Sequence, residues 1–245
     1  MNKSTAIKTE IDKFSALAEA WWDPEGDFRP LHLINPERIR YIRKHVATHF
    51  KLSQRPTKPL QGLSLLDVGC GGGLLSEPLA RLGLSVCGID ASEQNVQVAA
   101  QHAKESKLII NYRVGSPEKL AAKIEKFDVV LALEVVEHVA DMEYFIETTS
   151  MLVKPGGLIF FSTLNRTIRS FLMAKIGAEY ILRWLPKGTH QWDRFVRPSE
   201  LAAAMTKCCI EITDIKGLVY SPLTDTWAMN RDTSVNYFMV GRKNR

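Results

Sequence analysis

Three side chains close together in the second half of the sequence have types suited to acid–base chemistry: Glu134, Glu137 and His138, within Leu133-Glu134-Val135-Val136-Glu137-His138-Val139. If that segment turns as an α-helix, the spacing i, i+3, i+4 puts two carboxylates and an imidazole on one face. Such a set can hold a divalent ion or act as a general base, with His138 first in order and Glu137 second. His32 and His190 are further candidates. A second group lies earlier, where Leu65-Leu66-Asp67-Val68-Gly69-Cys70-Gly71-Gly72-Gly73 runs a buried strand into a glycine-rich turn that opens a helix. Glycine lets the backbone approach a ligand, and the helix start offers free N–H groups. Asp90 ends the next apolar run, 23 residues after Asp67, where a carboxylate accepts two ribose hydroxyls. Turn and acid together point to a nucleoside ligand. The dinucleotide pattern G-x-G-x-x-G fails from Gly69, because its last position falls on Leu74, which argues against a nicotinamide dehydrogenase.

The elements that must position these residues follow from periodicity. Leu63–Val68, Leu84–Ile89, Ile109–Arg113, Phe127–Ala132 and Leu158–Ser162 are short apolar runs. They alternate with helical segments from Leu74, over Ser92–Lys104 and near Asp141–Val153. That alternation predicts an α/β fold whose parallel sheet is covered on both faces. Upstream, Ile7, Ile11, Phe14, Leu17, Ala18 and Trp21 mark an amphipathic helix that ends in a turn-rich break at Trp21–Gly26. A second helix is predicted to start at Asn35-Pro36, with Asn35 as its cap. The division read from the sequence is a helical arm and connector over residues 1–62, then one α/β domain over 63–245 with an insertion at 163–190. Pro198–Cys208 reads as a late helix, and Ile210–Ile215 and Val235–Val240 as closing strands.

Composition bounds the class. With 245 residues, 45% hydrophobic, 24% charged and a net charge of +5, the chain has an ordinary soluble composition. Its four cysteines form no C-x-x-C pair, which argues against a disulfide framework or a zinc site and suits a reducing cytosol. The N-terminal residues lack the apolar run of a signal peptide, and no stretch has the length of a membrane span. Residues 163–190 carry five Lys and Arg against one Glu, a net +4, so the basic balance is local. There Ile168, Leu172, Ile176, Tyr180 and Trp184 recur every fourth residue. This pattern fits either a helix lying in an anionic membrane interface or an apolar lid over a pocket. Cations interleaved with Ile, Leu, Met, Phe and Trp do not draw the exposed basic stripe of a nucleic-acid partner.

The run Asp67-x-Gly69-x-Gly71-x-Gly73 resembles the first motif of the class I S-adenosylmethionine-dependent methyltransferases. That resemblance implies a Rossmann-like, mostly parallel sheet of seven strands, with Asp90 holding the ribose and Gly115–Glu118, including Ser116, near the adenine. In many members an acid stands where this chain has Ser116. A narrower resemblance covers Phe14 to Tyr237. Trp21-Trp22-Asp23-x-x-Gly26-x-Phe28-x-Pro30-Leu31-His32-x-Ile34-Asn35-Pro36-x-Arg38, Glu134-Val-Val-Glu137-His138-Val139, Lys154-Pro155-Gly156-Gly157, Phe161–Arg166 and Gly177–Leu182 are similar to the ubiquinone-biosynthesis O-methyltransferases. The family implies methylation of ring hydroxyls on polyprenylated catechol and demethylubiquinone precursors, at two steps of one pathway. It implies that Arg38, Gly69, Asp90 and Leu133 contact the methyl donor and that Glu134, Glu137 and His138 match a Mg²⁺ site. The cofactors expected are therefore S-adenosylmethionine and Mg²⁺. The expected partners are the polyprenylated acceptor, an anionic membrane surface through 163–190 and other enzymes of the pathway. The expected location is the cytoplasm, peripheral to the inner membrane. A methyltransferase of another lipid or small molecule shares the same donor half and is the alternative.

Overall fold

The computed structural model describes residues 4–52, 57–172, 192–221 and 226–244. Its frame is one sheet. The strands are β1 (Ser64–Val68), β2 (Ser85–Asp90), β3 (Asn111–Val114), β4 (Phe127–Leu133), β5 (Val153–Leu164), β6 (Ile210–Ser221), β7 (Thr226–Asn230) and β8 (Asn236–Lys243). Their order is β3-β2-β1-β4-β5-β8-β6-β7. β1 to β5 pair in parallel, while β8, β6 and β7 add antiparallel. The sheet thus has eight strands rather than the expected seven. The additional β7 has only five residues, alternately exposed and half-buried, so it lacks the apolar run that betrays its neighbours.

The two-residue period of each central strand builds two cores. On β4, Val130 and Ala132 face one side, where they meet Phe161 and residues of α6 (Met142–Met151) and α8 (Pro198–Lys207). Val129 and Leu131 face the other, against Phe160 and Ile42 and Val46 of α2 (Arg29–His49). Each such fully buried aliphatic side chain contributes about 1.5–3 kcal/mol relative to exposure. The arm therefore shares its core with the sheet through α2, while two short helices, α3 (Ser76–Arg81) and α7 (Ile168–Phe171), follow β1 and β5. Helix starts are locally encoded: Ser92 Oγ accepts from Asn95 N at 3.2 Å to open α4 (Glu93–Glu105), and Asp141 Oδ1 accepts from Tyr144 N at 3.0 Å to open α6.

Two expectations about the arm change. α1 (Lys8–Ala16) stops before Trp21, and a 3-10 turn over Ala18–Ala20 follows it. α2 begins at Arg29, so Asn35 and Pro36 lie inside it rather than at its start. Pro30 already occupies the favoured first turn, and burial of Ile34, Asn35 and Arg38 carries the helix across Pro36.

Candidate functional site

At the carboxyl ends of the parallel strands lies a cavity of about 440 Å³. It sits where open α/β sheets receive ligands. Arg38, Asp67, Gly69, Gly71, Asp90, Ser116, Leu133, Glu134, Glu137 and His138 all line it, so the residues singled out in the sequence come together at one place. His32 does not line it. Its Nε2 lies 2.9 Å from Trp21 O, where it ties the arm to itself. His190, together with 173–189 of the insertion, lies outside the described residues.

At one end the turn after β1 is shaped by glycine. Gly71 has φ +52°, and a Cβ there would stand 2.4 Å from the Trp21 ring. Asp90 ends β2 with its carboxylate buried and oriented. Oδ2 accepts from Gly71 N at 2.9 Å, and Oδ1 from Ser92 N at 2.8 Å and Asn95 Nδ2 at 3.3 Å. Burial raises its pKa above the ordinary value against these bonds. Asp67 is held by Ser76 Oγ at 2.6 Å, and burial lifts it to about 6. Ser116 precedes α5 (Pro117–Ala121), and Leu133 closes β4.

The paired tryptophans, visible in the sequence only as part of a break and a family motif, clamp this end. Trp21 Nε1 donates to Asn95 Oδ1 at 3.0 Å and its ring stacks on Phe28, while Trp22 Nε1 donates to Gly72 O at 2.9 Å. Gly71→Ala should therefore displace Trp21 and strain the turn by about 2–4 kcal/mol, combining a positive-φ cost with overpacking. The expected result is a midpoint of thermal unfolding lowered by roughly 5–10 °C, read by calorimetry. An unchanged midpoint would mean that the turn has room which the geometry denies.

At the other end stand the acids and the imidazole, but not on one helical face. Glu134 has φ +56°, and only Val136–His138 makes a turn, of 3-10 type. The i, i+3, i+4 stacking assumed from the sequence is lost because it requires α geometry throughout. Glu134 Oε1 instead accepts from Arg38 Nη2 at 2.6 Å and Ser162 Oγ at 2.7 Å. His138 Nδ1 lies 2.8 Å from Glu10 Oε2 on α1. Among the described residues no three His, Cys, Asp or Glu gather as a metal-holding group. The expected Mg²⁺ set is thus not assembled in this arrangement, since two of its three members are engaged elsewhere.

Glu137 is different. It is 4% exposed, and its Oε2 has no hydrogen-bond partner. Burial, then the neighbouring Glu134 carboxylate, pushes its pKa up to about 7. A carboxylate so poised is suited to proton transfer near neutral pH. Arg38 is 4% exposed, and its Nε likewise lacks a partner, leaving a donor for an incoming carboxylate. The rest of the wall is largely apolar, with Ile7, Ile11, Phe14, Leu31, Phe145 and Trp227 among its members. An apolar wall with a few convergent polar groups suits a hydrophobic acceptor.

The chain matches the model of a methyltransferase domain over residues 66–161. It is 53% identical over 241 residues to the ubiquinone biosynthesis O-methyltransferase of Chelativorans sp., covering 98% of this chain and 95% of that protein. The Brucella ovis protein of the same name is 51% identical, covering 98% and 97%. Among solved structures, magnesium protoporphyrin IX methyltransferase from Synechocystis PCC 6803 with bound SAH is similar in fold. The TM-score is 0.65 at 19% identity, covering 97% of this chain and 95% of that one.

Proposed function

The chain belongs to the ubiquinone biosynthesis O-methyltransferase family, and from that premise we propose that it methylates ring hydroxyls of polyprenylated catechol and demethylubiquinol precursors, drawing the methyl group from S-adenosylmethionine. The observation that carries the reading is one cavity that holds both the Asp90 and Gly71 pair and, across it, Glu137 and His138 within a largely apolar wall. The residues fit the donor. Asp90 presents a preorganised buried carboxylate for a ribose, and Arg38 keeps an unpartnered Nε for the methionine carboxylate.

When bound, S-adenosylmethionine supplies a sulfonium methyl, whose carbon–sulfur electron pair leaves on sulfur as the new oxygen–carbon bond forms. Everything else falls to the chain. A phenol is a weak nucleophile at neutral pH, so a group on the protein must take its proton. His138 is assigned this role. A carboxylate can only accept, so Nδ1–H donates to Glu10. Glu137 precedes His138 in the same 3-10 turn, and its raised pKa lets it exchange a proton near pH 7. Arg38 holds Glu134 by an ion pair, and the apolar wall excludes water while the reactants are aligned.

The test is transfer of a labelled methyl group to a short-chain 3-demethylubiquinol analogue, beside a control without protein. Methylated product is expected. Its absence, with calorimetry still recording donor binding, would overturn the acceptor assignment and favour another lipid-like phenol.

The same reading includes contact with an anionic membrane. Support comes from the described residues flanking 173–191: Ile168 is 76% exposed, and Leu172 and Trp192 are exposed as well. A polyprenyl tail resides in lipid, so a protein that takes such an acceptor gains from interfacial apolar contacts. Ile168→Ser with Leu172→Ser should reduce co-sedimentation with anionic vesicles severalfold. Unchanged co-sedimentation would remove this surface from membrane binding.

A further inference from the structure

Two side chains of α2 that line the cavity stand one turn apart: Asn35 and Arg38, at i and i+3 on one helical face. Each carries a buried polar atom with no hydrogen-bond partner among the described residues. Asn35 is 7% exposed and its Oδ1 is unmatched, as is Nε of Arg38, whose Nη2 is already committed to Glu134. The two atoms are of opposite kind, one an acceptor and the other a donor. An asparagine so placed is costly to the fold. It is a poor residue for a helix interior, it stands directly before Pro36, and its carbonyl oxygen has left water without gaining a donor. A ligand that donates there would remove the last of these costs.

We propose that Asn35 is a recognition residue for the methyl donor: its Oδ1 accepts from the α-ammonium of the methionine part of S-adenosylmethionine, beside the carboxylate taken by Arg38. The inference rests on this cavity being the donor site. Ammonium and carboxylate are borne on a single carbon of that ligand, so they call for an acceptor and a donor side by side, and the i, i+3 pair on α2 offers both. A hydrogen bond from a charged donor is roughly twice as strong as a neutral one. Nearby carboxylate oxygens are already engaged, Asp67 Oδ2 by Ser76 and Glu134 Oε1 by Arg38 and Ser162, whereas Asn35 Oδ1 is not. The amide therefore reads the amino group, a part of the donor that takes no part in the chemistry at sulfur. Its effect is on which nucleosides the site accepts.

The experiment measures binding by calorimetry to the full chain, for the parent, Asn35→Ala and Asn35→Leu. Its probes are S-adenosylhomocysteine, the analogue in which hydrogen replaces the α-amino group, and the analogue that lacks the carboxylate but keeps the amine. What decides is the ratio of Kd values between probes within each protein, in which a general change of pocket shape cancels. The parent should bind S-adenosylhomocysteine about ten- to a hundredfold more tightly than the deaminated analogue. In both variants that preference should shrink about tenfold, and the decarboxylated analogue should lose as much affinity as S-adenosylhomocysteine does. Asn35→Leu also keeps water from standing in for the lost oxygen. A preference retained in both variants would overturn the proposal, and so would its absence in a parent that still binds S-adenosylhomocysteine; either result leaves the donor site standing. If Asn35→Ala weakens the deaminated analogue and spares the decarboxylated one, the amide serves the carboxylate and the proposal fails. A parent that binds no S-adenosylhomocysteine would remove the donor site itself, and Asn35 with it.

Discussion

Asp90→Asn should weaken binding of S-adenosylmethionine by at least a hundredfold in calorimetry. Hydrogen bonds to a charged group contribute about 1.5–3 kcal/mol each, and a ribose diol offers two. Their loss corresponds to roughly 10²–10⁴ in Kd. The amide also turns an N–H group toward a site built only from donors, Gly71 N, Ser92 N and Asn95 Nδ2, so one of its faces meets a mismatch. The fold should survive, because the substitution removes a buried charge whose desolvation already raises its pKa. Parent affinity in a folded variant would take Asp90 out of the donor site.

Glu137→Gln is expected to separate activity from stability. Turnover should fall by about ten- to a hundredfold, because the amide can neither exchange a proton nor balance a positive charge on the adjacent imidazole. Stability should change in the opposite sense, and only at higher pH. The folded-state pKa of about 7 lies above the ordinary value of 4.5, so between these limits the native protein holds a proton that the unfolded chain has released. Stability therefore falls as pH rises through that window. Above it the native state carries the whole cost of a buried carboxylate with one oxygen unpartnered, on the order of 3 kcal/mol. At pH 8 the Gln variant should unfold at the higher temperature, and near pH 4 the two proteins should melt together. Parallel melting at both pH values would show that Glu137 is not held in the strained ionisation the structure describes. Loss of function with gain of stability is the usual signature of a group retained for chemistry.

Much of this was legible before any coordinates. The Asp67–Gly73 turn and Asp90 are chain-local patterns: a strand end, a glycine conformation and an acid one strand later fix each other over 23 residues. The parallel half of the sheet followed from apolar runs alternating with helices. What stayed hidden depends on distance along the chain or on backbone geometry. The Trp21 bond to Asn95 joins residues 74 apart, so the tryptophans read only as a break and as part of a family motif. Asn35-Pro36 imitates a helix start, yet tertiary burial of Asn35 and Arg38 places both inside α2. The acids at 134 and 137 fit a metal set on a helical template, and the left-handed backbone at Glu134 breaks that template. β7 stayed invisible because an edge strand with alternating exposure resembles a polar loop.

The two ends of the cavity differ in how much change they tolerate. The donor end is made of backbone: strand termini and glycines whose missing side chains are already occupied by Trp21 and Val135. The roof over the opposite end comes from side chains on α1, none of which is fully buried. Half-buried side chains there leave more room for replacement than the backbone-lined donor end does. A lineage, or a directed-evolution campaign, can thus reshape what the pocket accepts by rewriting Ile7, Ile11 and Phe14 while leaving its supply of methyl groups untouched.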